Sequence, residues 1–361
     1  MAIDRFPLIN STEHFMNPGI AQSGADIVRP AQKSRPSFIG HSIFHEPWWL
    51  DIATGGNWHL VKVVENNEVI GEMPYTLVKK GFWKVSEMPP LTRCLGPVIR
   101  SSTGHAEDEW RHRFNVCDKL IRQLPGCDLF EQLLDPDVSE AEAIAFTFNR
   151  FTVLVNFTLR IFPQQTEPEV WARMRANTRN VIRRASEQLS VKEILDADEF
   201  VRFYDANLAA RQQRNIYGSA VMRALLAQAV GRDAGKMLGC YSKDGVLQAA
   251  IAVVFDDTAL YYLLCSRRQD THGGAVSLLI WSAIRLAHER QLVFDFDGVS
   301  SQGILTFLSG FGGKLVRRFE IRRLQPGYAT FRRLYRNTQS MVETTANRLQ
   351  RAKGAGAAPE N

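Results

Sequence analysis

The run Val293-Phe294-Asp295-Phe296-Asp297-Gly298 concentrates the most chemistry in this 361-residue chain. Read as a strand, its period-two alternation puts Asp295 and Asp297 on one face and the two phenylalanines on the other. Two carboxylates on one face of a central strand cost free energy unless they are solvated, hydrogen-bonded or used. The functional reading is a site that binds or deprotonates an amine or a hydroxyl. The structural reading is that Asp297-Gly298 is the turn ending the strand, with Asp295 bonded to a neighbouring backbone group or arginine. The two stand level for Asp297, and the structural one is preferred for Asp295.

Upstream, a strand over Ala259–Cys265 runs into a loop and then a helix beginning near Gly273. A helix start after a strand presents free N–H groups and partial positive charge, which suits a pyrophosphate. In His272-Gly273-Gly274-Ala275 two positions lack a β-carbon, so the backbone can approach an anion closely. Arg267 and Arg268 stand just before it, as partners for phosphate oxygens. Taken alone, a Gly-Gly helix start is more often a plain turn.

A third cluster lies in a helix expected over Thr166–Leu189, where Thr166 and Glu169 form a capping box and Pro168 sits in the first turn. Arg175, Arg179 and Arg183 recur every four residues and so line one face. Like charges at that spacing cost about 0.2–0.5 kcal/mol per pair. An anionic partner relieves them, as do nearby acids on a solvated surface, the blander account. His41 and His45 have the spacing of a helical metal pair but no third ligand, and the five cysteines form no C-x-x-C, so no metal site is expected.

The elements that must position these groups follow from patterning. A helix carrying Phe44, Trp48, Trp49 and Ile52 ends at Gly55-Gly56. Trp58–Val64 and Val69–Val78 read as a hairpin around Asn66-Asn67, because asparagine tolerates a left-handed backbone. A Pro/Gly-punctuated stretch from Met88 to Pro97 precedes a helix over 107–123 and strands at 129–133 and 151–161. Helical sequence over 197–230 breaks near 215–219, and a meander follows at 237–242, 246–255 and 259–265. After the helix over 273–289 and the strand over 292–297 come a short helix near 304–309 and a strand pair over 314–324. Each half holds a strand–polar turn–strand unit flanked by helices, which suggests a degenerate tandem repeat.

Composition is that of a folded chain: 45% hydrophobic, 10% aromatic and 23% charged. No apolar run reaches the length of a membrane span, no secretory leader is visible at the start, and scattered cysteines suit a reducing cytoplasm. The formal charge of +6 is unevenly spread. Residues 313–353 hold eleven Lys/Arg against two Glu, a net +9, and leave −3 for the remainder. Residues 1–36 read as an irregular polar arm. From Tyr328 an aromatic stripe steps by three and four residues, so 328–353 suits either an anionic inner-membrane surface or packing on the first domain.

Several of these pieces together resemble a known family. Phe294-Asp295-Phe296-Asp297-Gly298 followed by Gly303-Ile304, Phe307 and Phe311-Gly312-Gly313 is similar to the closing signature of GNAT-type acyltransferases related to the FemABX aminoacyl transferases. That group includes the cellulose-biosynthesis (CelD/BcsL-like) acetyltransferases of cell-surface polysaccharide loci. Glu46-Pro47-Trp48-Trp49-Leu50-Asp51, Met88-Pro89-Pro90-Leu91-Thr92, Leu95-Gly96-Pro97, Arg179-x-x-Ile182-Arg183-Arg184-Ala185 and Arg211 match in order, over about His45 to Leu324. Aspartate stands at 297 where many members have glutamate, and Asp270 stands where the usual phosphate loop has Gln or Arg.

The resemblance implies an α+β protein of two tandem GNAT-like domains, 37–155 and 156–325, with mixed central sheets flanked by helices. It implies transfer of an acyl group, acetyl above all, from acyl-CoA to an amine or hydroxyl of a sugar-containing polysaccharide precursor. Asp297 and Asp295 then stand as catalytic candidates. Cys265, Arg267, Arg268, Thr271, His272, Gly273, Gly274 and Ala275 are candidates for the donor, and Arg179, Arg183 and Arg211 for the acceptor. Aminoacyl transfer from tRNA to a peptidoglycan precursor ranks second, nucleic acid being the less expected partner, and a non-catalytic assembly factor ranks third.

Overall fold

The computed structural model describes residues 38–102, 106–271, 273–299 and 301–332. The irregular arm expected over 1–36, His272, and the tail beyond Arg332 lie outside the described residues. In chain order the elements are β1 (Phe38–Ile39), α1 (Pro47–Thr54), β2 (Trp58–Glu65), β3 (Glu68–Thr76), β4 (Val78–Lys80), β5 (Trp83–Ser86), β6 (Val98–Arg100), α2 (Ala106–Arg122), β7 (Leu129–Leu133), α3 (Glu140–Phe148) and β8 (Thr152–Ile161). There follow α4 (Glu167–Arg173), α5 (Ala176–Gln188), β9 (Leu189–Ile194), α6 (Ala197–Ala209), α7 (Ser219–Gly231), β10 (Gly235–Ser242), β11 (Leu247–Phe255), β12 (Ala259–Arg267), α8 (Ala275–Glu289), β13 (Val293–Asp295), α9 (Gln302–Leu308) and β14 (Lys314–Leu324).

Two sheets result, a four-stranded antiparallel one and a ten-stranded mixed one. One has the order β1-β6-β3-β2; the other runs β4-β5-β7-β14-β8-β13-β12-β11-β10-β9. The second spans both halves of the chain, because β14 returns from the C-terminal end to pair with β7 and β8. The expected division between residues 155 and 156 therefore falls inside β8, a strand common to both halves. The expected pair of strands over 314–324 is one eleven-residue strand, long because it has a partner on each side.

Local chemistry explains most boundaries. Asn66 and Asn67 take φ values of 49° and 62°, the left-handed pair that a two-residue hairpin needs. Gly55 ends α1 in the left-handed conformation. Thr166 and Glu169 close their capping box at the start of α4.

The single helix expected over 166–189 is broken. Met174 takes an extended conformation, and the Arg175 amide donates to the Gly310 carbonyl at 2.9 Å. Tertiary hydrogen bonding there replaces one helical turn, and α5 restarts with Arg175 at its N-cap, so Arg175, Arg179 and Arg183 keep their four-residue steps.

Apolar packing then fixes the layer around α8. Its buried face, including Leu279, Ile280, Ala283 and Ile284, covers β11 and β12, and α5 packs across its start. Gly274 is part of that contact. A β-carbon there would lie 2.7 Å from Ala185 Cβ and 2.9 Å from the Val181 carbonyl oxygen, whereas at Gly273 nothing lies within 4 Å. Gly274→Val should therefore cost about 1–3 kcal/mol of stability by overpacking. Gly273→Ala should stay within about 0.5 kcal/mol. Denaturant midpoints of the two variants check the contrast.

Candidate active site

β12 and β13 are parallel neighbours for only three residues, Ala259–Tyr261 against Val293–Asp295. Beyond that point β12 stays with β11 as far as Arg267, while the chain after β13 turns to β8, Phe296 donating to the Leu159 carbonyl at 3.0 Å. The two strands diverge, and the gap opens into a cleft of about 740 Å³. β12 lines it with Tyr262, Leu263, Cys265 and Arg267, the end of β13 with Phe296, Asp297 and Gly298, and α9 with Gln302, Ile304 and Phe307.

Asp297 sits at the apex. Its φ of 59° is left-handed, which aspartate tolerates better than most side chains, and Gly298 follows at φ 92°. At that φ a side chain on Gly298 would be strained, and its β-carbon would crowd Arg318 Nη2. The Asp297 carboxylate meets Arg93 Nε at 2.8 Å and Arg318 Nη1 at 3.4 Å, with all three side chains almost fully buried. Burial alone lowers the Arg93 pKa, but the Asp297 charge reverses the direction to upward, so Arg93 is a fixed cation.

Arg93 also donates to the Leu263 carbonyl on β12. One guanidinium from the N-terminal half thus grips both lips of the divergence. Its other face lies over the Tyr217 ring, 5.9 Å from the centroid.

Asp295 does something different. It accepts from Thr158 Oγ1 at 2.6 Å, Arg160 Nε at 2.7 Å and the Asp297 amide at 2.8 Å, and it is outside the cleft lining. These are the bonds of the structural reading: Asp295 fixes the turn that aims Asp297. Arg160 reaches on to Asp137 at 3.0 Å and Asp135 at 3.9 Å. Three neighbouring acids outweigh burial and raise its pKa.

The cleft is strongly cationic. Arg93, Arg175, Arg211 and Arg267 line it against one acid, Asp297. Arg211 Nη2 donates to the Arg267 carbonyl at 2.6 Å, and among the described residues no carboxylate pairs with Arg175, Arg211 or Arg267. Burial, and after it the Arg211 charge, push the Arg267 pKa below its ordinary value. A bound anion would oppose that repulsion. Burial raises the Cys265 thiol to about 11, and Tyr262, in hydrogen-bond contact with it, is raised well above its usual range by burial. Neither is a ready anion at neutral pH.

Of the residues singled out from sequence, Asp297, Cys265, Arg267, Arg211 and Arg175 share this cleft. Arg268 turns away to pair with Asp270 at 3.1 Å. Arg179 bonds the Trp171, Ala172 and Met174 carbonyls at the end of α4, which a cation near a helix C-terminus favours. Arg183 lies over the Trp171 ring at 5.5 Å. Gly273, Gly274, Ala275 and Thr271 are not among the lining residues, and the Thr271 hydroxyl is buried without a partner. From α8 it is Val276, one turn in, that touches the cleft.

Arg93, Tyr217 and Arg318 carried no sequence signal as site residues. The Pro89-Pro90-Leu91-Thr92 stretch was legible as a loop and as part of the resemblance but gave Arg93 no role, and its Leu91 at φ 59° marks how tightly that loop is held. His45 is buried, which lowers its pKa to about 3, and it bonds Ser42 Oγ rather than any metal partner. Among the described residues no group of three metal-ligating side chains occurs.

Comparison with known proteins bears on this geometry. Residues 172–302 match the family described as Acetyltransferase (GNAT) domain. The chain carries a GNAT acetyltransferase domain. No curated protein matches significantly.

Solved structures extend the likeness of fold beyond the domain. FemX superposes with a TM-score of 0.60 at 9% identity, over 79% of this chain and 93% of its own. A C-terminal domain from Agrobacterium fabrum, named for lysylphosphatidylglycerol synthetase, gives 0.50 at 12% identity, over 77% and 88%. The tandem GNAT protein of the clavulanic acid biosynthesis pathway gives 0.45 at 9%, over 74% and 83%. The GNAT acetyltransferase match supports a transferase enzyme.

The charges behind the cleft give a pH test. Burial, moderated by Arg160, raises Asp135 to about 6 from an ordinary value of 3.8. A raised carboxylate binds more protons folded than unfolded, so its contribution to stability falls as pH rises between those two values. The stability of Asp135→Asn relative to the parent should therefore climb between about pH 4 and pH 6 and level off above. Urea unfolding at stepped pH reads this directly.

Proposed function

We propose that the cleft between β12 and β13 binds an acyl thioester, acyl-CoA by this reading, and transfers the acyl group to an amine or hydroxyl positioned at Asp297. What carries the proposal is the separation of the two parallel strands after three paired residues, which leaves an open edge on β12 beside a cationic cavity. The Leu263 and Arg267 carbonyls turn toward that cavity, where Arg93 and Arg211 meet them. Alternation along the strand puts the Cys265 amide and carbonyl on the same edge, suited to the amide-bearing arm of CoA laid alongside as a further strand. The unpaired guanidiniums of Arg211 and Arg267 suit donor or acceptor phosphate at the cleft rim.

In the step this supports, the acceptor's nitrogen or oxygen lone pair attacks the thioester carbonyl carbon. The new C–N or C–O bond forms, and the C–S bond breaks with its electron pair leaving on sulfur. The acceptor's proton passes to Asp297 and on to the departing thiolate. Arg93 and Arg318 hold the Asp297 carboxylate in register, and backbone N–H groups of the β12 edge stabilise the oxyanion. The high pKa of Cys265 supports direct transfer within a ternary complex rather than an acyl-cysteine.

For the acceptor we adopt the sugar-containing precursor of a cell-surface polysaccharide. That choice rests on the family signature around Phe294–Gly313 and on the three arginines available to a phosphorylated glycan. One observation favours a second reading, aminoacyl transfer from tRNA. Gly274 is packed against α5, so the start of α8 is not open at that glycine to a diphosphate.

Acetyl-CoA and free CoA should raise the melting temperature of the protein, and Arg267→Ala should weaken that shift at least about tenfold in ligand concentration. No shift with either, together with salt-sensitive tRNA binding, overturns the first reading in favour of the second. Asp297→Asn should lower kcat by about 10²-fold or more with KM for the donor little changed. An unchanged kcat removes Asp297 from the chemistry.

A further inference from the structure

The strongest feature outside the cleft is the hairpin of β4 and β5, at the outer edge of the ten-stranded sheet. Its register pairs Val78 with Val85, Lys79 with Lys84 and Lys80 with Trp83, leaving Gly81 and Phe82 as the two tip residues. Gly81 takes φ 66° in the first turn position, as a tight two-residue turn requires. Phe82 is 91% exposed, the most exposed large apolar side chain described.

Charge around the tip is just as particular. Lys79 and Lys84 face each other across the hairpin, and like charges in that relation are destabilising. Among the described residues neither is ion-paired, whereas Lys80 pairs with Glu87. On the other face Trp83 rests against Tyr328 and Phe331, 5.4 and 5.9 Å between ring centroids. That contact brings the C-terminal residues to the flank of the hairpin. The sequence that follows, 333–353, carries five Lys/Arg and one Glu. Being cationic, it does not complement the two lysines.

We infer that the β4–β5 hairpin is a contact for an anionic lipid surface. Phe82 enters the boundary between headgroups and acyl chains, and Lys79 and Lys84 meet lipid phosphates. A bare aromatic tip between unpaired cations fits an interface that is apolar within and negative at its face. This assignment is independent of which acyl donor the cleft takes.

The test is co-sedimentation of the full chain with vesicles of phosphatidylcholine alone, or with about one-third phosphatidylglycerol, at moderate salt. The protein should pellet with the anionic vesicles, not the neutral ones, and lose that binding in high salt. Phe82→Asp and the double variant Lys79→Glu/Lys84→Glu should each lower partitioning about tenfold or more, with melting temperatures unchanged because the sites are exposed. Partitioning of both variants equal to the parent's overturns the proposal, as it would assign binding to the C-terminal residues alone. So does failure of the parent to bind anionic vesicles, or a Phe82-dependent affinity for RNA without any for lipid.

Discussion

Divergence of two parallel strands exposes backbone groups that a sheet would otherwise satisfy, and in this protein one arginine meets that demand. Arg93 bonds the Leu263 carbonyl on one strand and pairs with Asp297 at the end of the other. The gap between β12 and β13 is therefore held by charge as well as by packing. Buried ions need partners, and removing one partner of such a pair typically costs about 3–5 kcal/mol. The cluster is built accordingly: Asp297 lies between Arg93 and Arg318, and Asp295 between Arg160 and Thr158.

This arrangement changes what counts as the site. The recognised GNAT domain covers residues 172–302, yet Arg93 and Arg160 precede it and Arg318 follows it. The domain supplies the cleft walls, Asp295 and Asp297. The guanidiniums that hold those acids come from the loop before β6 and from strands β8 and β14. The continuous ten-stranded sheet is the mechanical reason, since β14 carries Arg318 back to the side of β8. The halves are joined at the point where the chemistry is placed, and the cleft belongs to both.

The same logic separates cations that position from cations that are available. Arg179 closes the end of α4 and Arg183 covers an indole, so their four-residue spacing served local structure once the helix broke at Met174. Arg175, at the N-cap of α5, lines the cleft. With Arg211 and Arg267 it gives the cavity an excess of positive charge, the feature that most constrains what it can hold.

Much of this was legible in one dimension. The hairpin at Asn66-Asn67, the meander, the break between α6 and α7, and the α8–β13 succession all follow from periodicity and turn chemistry, which are local. The two carboxylates do not share a strand face, however, because β13 ends at Asp295 and Asp297 stands in the left-handed turn beyond it. Helix α3 is specified as locally, by the capping box that Ser139 and Glu142 form at its start. What no local pattern contains is the company each charge keeps. Arg93 is 170 residues from the carbonyl it bonds, and the partner of Asp295 at Arg160 is 135 residues away. Sequence specifies which residues can be ionised and which face of an element they share. Only the assembled sheet decides which of them become buried counterions and which are left facing an open cleft, because that depends on strand order and not on spacing along the chain.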